Sequence, residues 1–255
     1  MRKIIKLSLV CLTVFILSSC VNANNSTLSP PAETKWINVE VKNPLPYTKP
    51  FPLEVTYISH KCQKKRISGF DGSLVKEPSY KGIQIPLQQQ EESDIWQGKV
   101  AMNGGGACGW TLSKFNLGIE YIDATHLGKE LVPGTAVGAT IAFDDDASRN
   151  GQFTSFYGDI KLEPKYYPYI SEWNLGKKVK ELSLLGRESF LSLRAYDSSH
   201  IRYFPEIYEN KVVRYIGVEK KIEGIYSKIV YPDGSVVSDG TVFPDFEKVD
   251  KMKIR

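Results

Sequence analysis

In Trp36-Ile-Asn-Val-Glu-Val-Lys42, Ile37, Val39 and Val41 alternate with Asn38, Glu40 and Lys42. A two-residue period puts the apolar side chains on one face of an extended strand and the polar ones on the other, whereas a helix needs a period of 3.6. The pattern returns in Phe51-Pro-Leu-Glu-Val-Thr-Tyr-Ile-Ser59, after the turn-rich Asn43-Pro-Leu-Pro-Tyr-Thr-Lys-Pro50. Residues 82–87, 95–102, 110–122, 137–143 and 158–162 continue it, with Gly and Pro clusters between them at the spacing of a sandwich. Seven short strands without a convincing helix predict a mainly β chain, with an antiparallel, immunoglobulin-like β-sandwich over residues 36–162. That likeness is architectural and carries no chemistry.

Beyond Leu162 the tyrosine- and proline-rich Glu163-Pro-Lys-Tyr-Tyr-Pro-Tyr-Ile170 reads as a boundary or crossover. Residues 163–255 are expected to form a smaller β or α+β unit, with a short helix within 178–193. Tyr231-Pro-Asp-Gly234 between β-rich segments predicts a hairpin turn.

Upstream, Arg2, Lys3 and Lys6 precede an apolar run of about eleven residues that ends at Leu17. The run is short of the ~20 residues that a membrane-spanning helix requires. A basic start followed by a short apolar stretch describes a secretory signal over residues 1–19. Its end, Leu17-Ser18-Ser19-Cys20, resembles the lipobox of bacterial lipoproteins. The resemblance implies lipidation of Cys20 as the first residue of the mature chain, and Val21 in place of Asp implies sorting to the outer membrane. Each buried acyl CH₂ contributes roughly 0.8 kcal/mol, so several chains hold firmly. Residues 20–35, rich in Asn, Ser and Pro, read as a flexible tether between anchor and body.

The composition, 42% hydrophobic and 24% charged, is that of an ordinary globular chain and excludes a disordered polypeptide or a multi-span membrane protein. Removing Arg2, Lys3 and Lys6 from the 33 basic residues leaves 30 against 29 acidic ones. A body so close to neutral offers no electrostatic case for nucleic acid.

Setting aside Cys11 in the signal and Cys20, two cysteines remain, Cys62 and Cys108. In an oxidising compartment they are expected to pair, closing a loop worth roughly 4 kcal/mol on chain entropy; a reactive or metal-binding thiol pair is the alternative. Asn103-Gly-Gly-Gly-Ala-Cys-Gly-Trp110 requires positive φ or a close backbone approach. A phosphate cradle would need Lys-Ser/Thr and a helix to follow, so the run reads as a tight loop feeding the disulfide and a core Trp110.

No Gly-x-Ser-x-Gly or His-Glu-x-x-His pattern occurs, nor a Ser-x-x-Lys with its partner motifs, and His60, His126 and His200 are far apart in sequence, as surface or loop residues. No metal or cofactor is implied. Asp144-Asp145-Asp146 departs from the EF-hand spacing and reads as a solvated turn or as an exposed acidic anchor for a basic partner surface. Tyr166, Tyr167, Tyr169 and Trp173 cluster where the sequence is least strand-like, and aromatics there point to a binding surface, with core filling as the alternative.

A lipobox, a polar tether and a disulfide-closed β-module containing Gly104-Gly-Gly-Ala-Cys-Gly-Trp110 resemble the layout of bacterial immunity lipoproteins that accompany type VI secretion phospholipase effectors. The resemblance implies a non-catalytic, periplasm-facing protein that docks on an incoming lipase and occludes its active site. Asp144–Asp146 and the aromatics Tyr166–Trp173 would serve as anchors. A structural or assembly lipoprotein of a secretion or envelope complex is the alternative. An envelope hydrolase would require two carboxylates or a Ser–His pair converging in a cleft.

Overall fold

The computed structural model describes residues 27–148 and 152–253. Residues 1–19, expected as a signal, and Cys20, expected to carry the lipid, lie outside the described residues. About half of the chain is strand and very little is helix, arranged in several multi-stranded sheets, so the fold is mainly β and sandwich-like.

One layer is a five-stranded sheet in the order Ile160–Leu162, His200–Tyr203, Trp36–Lys42, Ile95–Ala101, Gln88–Gln89. The facing layer runs Thr154–Tyr157, Phe190–Tyr196, Val137–Ala142, Trp110–Tyr121, Leu53–Ile67, Leu74–Ile85. Ile37, Val39 and Val41 point into one core with Leu53, Val55, Phe115, Leu117 and Ile119 from the opposite layer. Phe115 is fully buried, and truncating it to alanine is expected to cost about 3–5 kcal/mol. The Tyr57 hydroxyl crosses between the layers and donates to the Ala101 carbonyl at 2.9 Å. In the Trp110–Tyr121 strand the buried positions change phase, from Leu112 to Phe115 and Leu117. A register shift opposite Thr56 and Tyr57 absorbs the extra residue.

The pairing is mixed rather than purely antiparallel. Trp36–Lys42 runs parallel to His200–Tyr203, and Val137–Ala142 runs parallel to Phe190–Tyr196. These contacts also cross the expected boundary at 162/163, since two strands of the C-terminal segment complete the sandwich layers. The short helix expected within 178–193 is replaced by the strands Val179–Leu185 and Phe190–Tyr196. Val179–Leu185 carries the buried run Leu182-Ser-Leu184, inaccessible on both faces as in an interior strand.

A third sheet follows the order Val236–Val237, Lys228–Val230, Val213–Ile216, Lys165–Trp173, Val179–Leu185, Val132–Pro133. One face sends Tyr166, Ile170, Leu182 and Leu184 into the main core. The other, with Tyr167, Val213, Tyr215 and Ile229, is covered by Phe246 and Val249 of the helix Phe246–Lys251. Asp245 caps that helix by accepting from the amides of Glu247 and Lys248. The buried Lys211 ammonium closes the other end, donating to the carbonyls of Val249 and Asp250 at 3.0 and 2.7 Å, where a helix leaves acceptors unpaired. The hairpin expected at 231–234 forms: Lys228–Val230 pairs antiparallel with Val236–Val237, and Gly234 takes φ +82° in the turn.

The tether is fixed in its last part. Leu28 packs against the core, and the Ser29 amide donates to the Gly104 carbonyl at 2.8 Å. The glycine run exists to admit this segment. A Cβ on Gly105 would lie 2.1 Å from the Ser29 carbonyl oxygen and one on Gly106 2.3 Å from that of Thr27, and both residues have positive φ.

Candidate functional site

The four aromatic candidates separate by burial. Tyr166 and Tyr167 are interior. The Tyr203 hydroxyl donates to that of Tyr166 at 2.8 Å, and burial pushes the Tyr166 phenol up to about 12. Tyr167 donates to Asp250 Oδ1 at 2.7 Å and stacks on Phe246, which fastens the C-terminal helix. These two residues are core and docking elements rather than partner anchors: alternation along Lys165–Trp173 turns both faces of the strand onto packed layers. Tyr169 is half-buried, its phenol also raised to about 12 by desolvation. Trp173 alone is exposed, at 47%.

Trp173 ends its strand beside the loop that follows Val213–Ile216, where the Gly217 amide donates to the Glu172 carbonyl. Its ring lies 5.2 Å from that of Tyr215, whose hydroxyl bonds Ser227 Oγ at 2.9 Å. Next along the chain is Tyr226, which abuts Gly240 and whose carbonyl accepts from Ser238 Oγ. In the loops flanking the Lys228–Val230/Val236–Val237 hairpin, Ile222, Ile225, Tyr226, Val242 and Phe243 are all about half exposed or more, as is Val236 in the edge strand, with Phe243 at 76%. Isolated exposed apolar residues need no explanation, but a group of them beside an open sheet edge marks an interaction surface. Glu219, Lys220, Lys221, Glu223 and Asp239 are exposed in the same two loops, so charged and apolar side chains are interspersed there.

The acidic triplet begins a four-residue helical turn, Asp145–Ser148. Asp144 caps it, its Oδ1 accepting from the Ala147 amide at 2.7 Å. Asp145 pairs with Arg194 at 3.2 Å, and Asp146 lies 3.5 Å from His60. Among the described residues, no three His, Cys, Asp or Glu side chains group to hold a metal.

Ser199, His200 and Asp159 lie closest to a hydrolytic constellation. Asp159 Oδ1 accepts from the amides of Ser199 and His200 at 3.0 and 2.9 Å, and these bonds hold its carboxyl below the usual range. Both Ser199 Oγ, at 3.0 Å, and Asp159 Oδ2, at 3.3 Å, sit on Nδ1 of His200, while Nε2 faces Asn38. A proton relay needs serine and carboxylate on opposite ring nitrogens. The trio instead ties the start of the Ile160–Leu162 strand to that of its parallel neighbour His200–Tyr203. His126 differs from the surface placement expected for it: it stacks on Tyr47 at 3.9 Å and pairs with Glu209 at 3.1 Å, its side chain only 11% exposed.

Cys62 and Cys108 form the disulfide, with Cα atoms 5.3 Å apart. Ser59 Oγ ties the same spot together, donating to the Cys108 carbonyl at 2.6 Å and accepting from the Cys62 amide at 2.9 Å. Pairing of Leu53–Ile67 with Leu74–Ile85 shifts register between Ser59 and Gln63. Past this bulge the two strands leave the body as a ribbon, Gln63–Ile67 against Leu74–Pro78, with Phe70 at its tip 99% exposed. Sequence reasoning missed the ribbon because alternation is visible only where one face is buried, and here neither is. Comparison with known protein families, characterised proteins and solved structures finds no match, so the functional reading rests on these residues alone.

Proposed function

We propose that the protein is a lipid-anchored envelope protein that works by binding another protein, and that it serves as an immunity protein blocking a secreted lipase. The observation that carries the binding role is the set of exposed apolar side chains, Trp173, Ile222, Ile225, Tyr226, Val242 and Phe243, carried with charged residues at a strand end and in the two loops flanking the outer hairpin of the third sheet. Aromatic and aliphatic anchors within a polar rim supply most of the energy of a protein interface. Blocking an active-site entrance asks no chemistry of the inhibitor, only about 800 Å² of complementary surface on each partner. The relay-incompatible arrangement of Ser199, His200 and Asp159 favours this reading over a hydrolase.

The lipase as target comes from the lipobox at Cys20, the tether and the disulfide-closed β-module. Its test is protection: cells exporting a lipase encoded beside this gene should survive only when they also make the full chain. They should lose that protection when Phe243→Asp removes the most exposed of these apolar residues. Protection that is absent with the parent chain, or undiminished in Phe243→Asp, removes the proposal.

A further inference from the structure

The ribbon carries a charge the rest of the molecule lacks. Residues 63–78 contain Lys64, Lys65, Arg66 and Lys76 against Asp71 and Glu77, four minus two, or +2. The chain from Cys20 onward totals only 30 minus 29, or +1, so everything outside the ribbon sums to −1.

The charges are layered. Cross-strand partners share a face, so Ile67 and Leu74 sit together near the tip, and Lys65 and Lys76 oppose each other one step behind on the same side. Two like charges in direct opposition disfavour the pairing unless an anion lies between them. Among the described residues neither lysine has a carboxylate partner; the ribbon's own ion pair, Arg66 with Glu77, uses the other face. Ile67 and Leu74 are 68% and 63% exposed, and Phe70 almost completely. An apolar end followed by a cationic collar matches the depth profile of a bilayer surface, with acyl chains beneath anionic headgroups.

The chain also enters at the ribbon's base. Thr27 lies over Gly106, two residues from Cys108, whose disulfide partner Cys62 is the residue from which the ribbon departs. Seven Cα steps separate Cys20 from Thr27, a reach of at most about 25 Å. Five paired residues and their turn extend the ribbon by roughly 16 Å or more. A lipid on Cys20 therefore holds the bilayer within reach of Phe70.

We infer that the 63–78 ribbon is a second membrane contact, inserting Phe70, Ile67 and Leu74 into the interface of an anionic bilayer while Lys64, Lys65 and Lys76 engage its headgroups. With the ribbon seated, the body is held by two points and stops pivoting, which leaves the Trp173–Phe243 face at a fixed height for a protein partner. The proximity rests on the reading of Cys20 as the anchor; the amphipathic layering does not.

The test uses the full processed chain with Phe70→Trp, added to phosphatidylcholine vesicles with or without phosphatidylglycerol, in which the acyl chains carry bromine as a contact quencher. Phe70 is solvent-exposed, so the substitution leaves the fold intact. Expected is quenching about twofold beyond that of the parent's four tryptophans in the anionic vesicles, falling to the parent level in Lys64→Glu/Lys65→Glu/Lys76→Glu. Quenching equal to the parent in both vesicles overturns the inference. So does a Phe70→Trp chain whose added fluorescence responds only to a protein partner, which would make the ribbon a protein-docking arm. Mass analysis of the Cys20 peptide from the same sample separates the two readings. Quenching without lipid on Cys20 leaves the ribbon contact standing and removes the anchor, and lipid without quenching does the reverse.

Discussion

Replacing Gly105 by alanine sets a methyl group where the Ser29 carbonyl already lies, 2.1 Å away, in a residue whose φ is +58°. The left-handed conformation costs a non-glycine residue about 1–2 kcal/mol. The clash also forces Ser29 away and breaks its 2.8 Å bond to Gly104, worth roughly 1 kcal/mol. The strain weighs on the loop whether or not the leader is docked, so the lost bond sets the shift: about 1 kcal/mol, or a rise of roughly fivefold or more in the undocked leader. The loss is capped at the docking energy of residues 27–31, since only Leu28 among them packs on the core. Amide hydrogen exchange should show Ser29 losing protection by that factor while Val39 and Leu117 keep theirs. Gly109→Ala is the control: its φ is +57° but nothing lies within 4 Å of the new Cβ, so it meets the strain without the clash and leaves Ser29 protected. Unchanged protection at Ser29 in Gly105→Ala, or an equal loss in Gly109→Ala, would refute the view that the glycine run is a latch for the leader.

Removing both cysteines of the Cys62–Cys108 bridge, 46 residues apart, is expected to cost up to about 4 kcal/mol. At the sensitivity of a chain this size that lowers Tm by roughly 10 °C in a circular-dichroism melt; an unchanged Tm would deny the bridge its stabilising part. Tyr203→Phe leaves the Tyr166 hydroxyl buried without its donor and should destabilise by about 1–3 kcal/mol in urea titration. Adding Tyr166→Phe removes both hydroxyls and should recover much of that loss. Asp159 and Asp250 are both held below their ordinary pKa, by amide bonds from Ser199 and His200 and by the Tyr167 hydroxyl respectively. A carboxyl lowered in the folded state contributes stability that is complete above its unfolded pKa near 4 and fades as the pH falls through the folded value. Thermal stability should therefore decline below about pH 4, less steeply in Asp159→Asn, and a parallel decline in parent and variant would exclude Asp159.

The sandwich was legible wherever a strand has one dry and one wet face: Ile37, Val39 and Val41 alternate because Asn38, Glu40 and Lys42 meet solvent or a polar edge. The pattern fails in two opposite cases. Leu182-Ser-Leu184 is buried on both sides and reads equally well as helix, while Gln63–Ile67 is wet on both sides and reads as loop. The parallel pairing of Trp36–Lys42 with His200–Tyr203 spans more than 150 residues, and a local period says nothing about partners so distant. Cysteine arithmetic found the disulfide because, with Cys11 and Cys20 set aside, two thiols remain and each has the other as its simplest partner. Tyr166 and Tyr167 were misassigned to a surface because aromatic residues fill cores and anchor interfaces by the same contact area, and composition cannot separate the two. The exposed face that replaces them, from Trp173 to Phe243, was hidden for a similar reason: Ile222, Ile225 and Val242 look like core residues until the absence of a covering layer is seen.

The central claim is that the chain acts by stoichiometric binding through this face. Titrating the purified protein into the lipase that the proposal requires as its target, with hydrolysis of a phospholipid substrate as the readout, tests it most directly. The account predicts inhibition that saturates at one inhibitor per lipase and is weakened at least about tenfold by Phe243→Asp, with Tm unchanged. Undiminished hydrolysis at molar excess, or equal inhibition by the parent and Phe243→Asp, would contradict it.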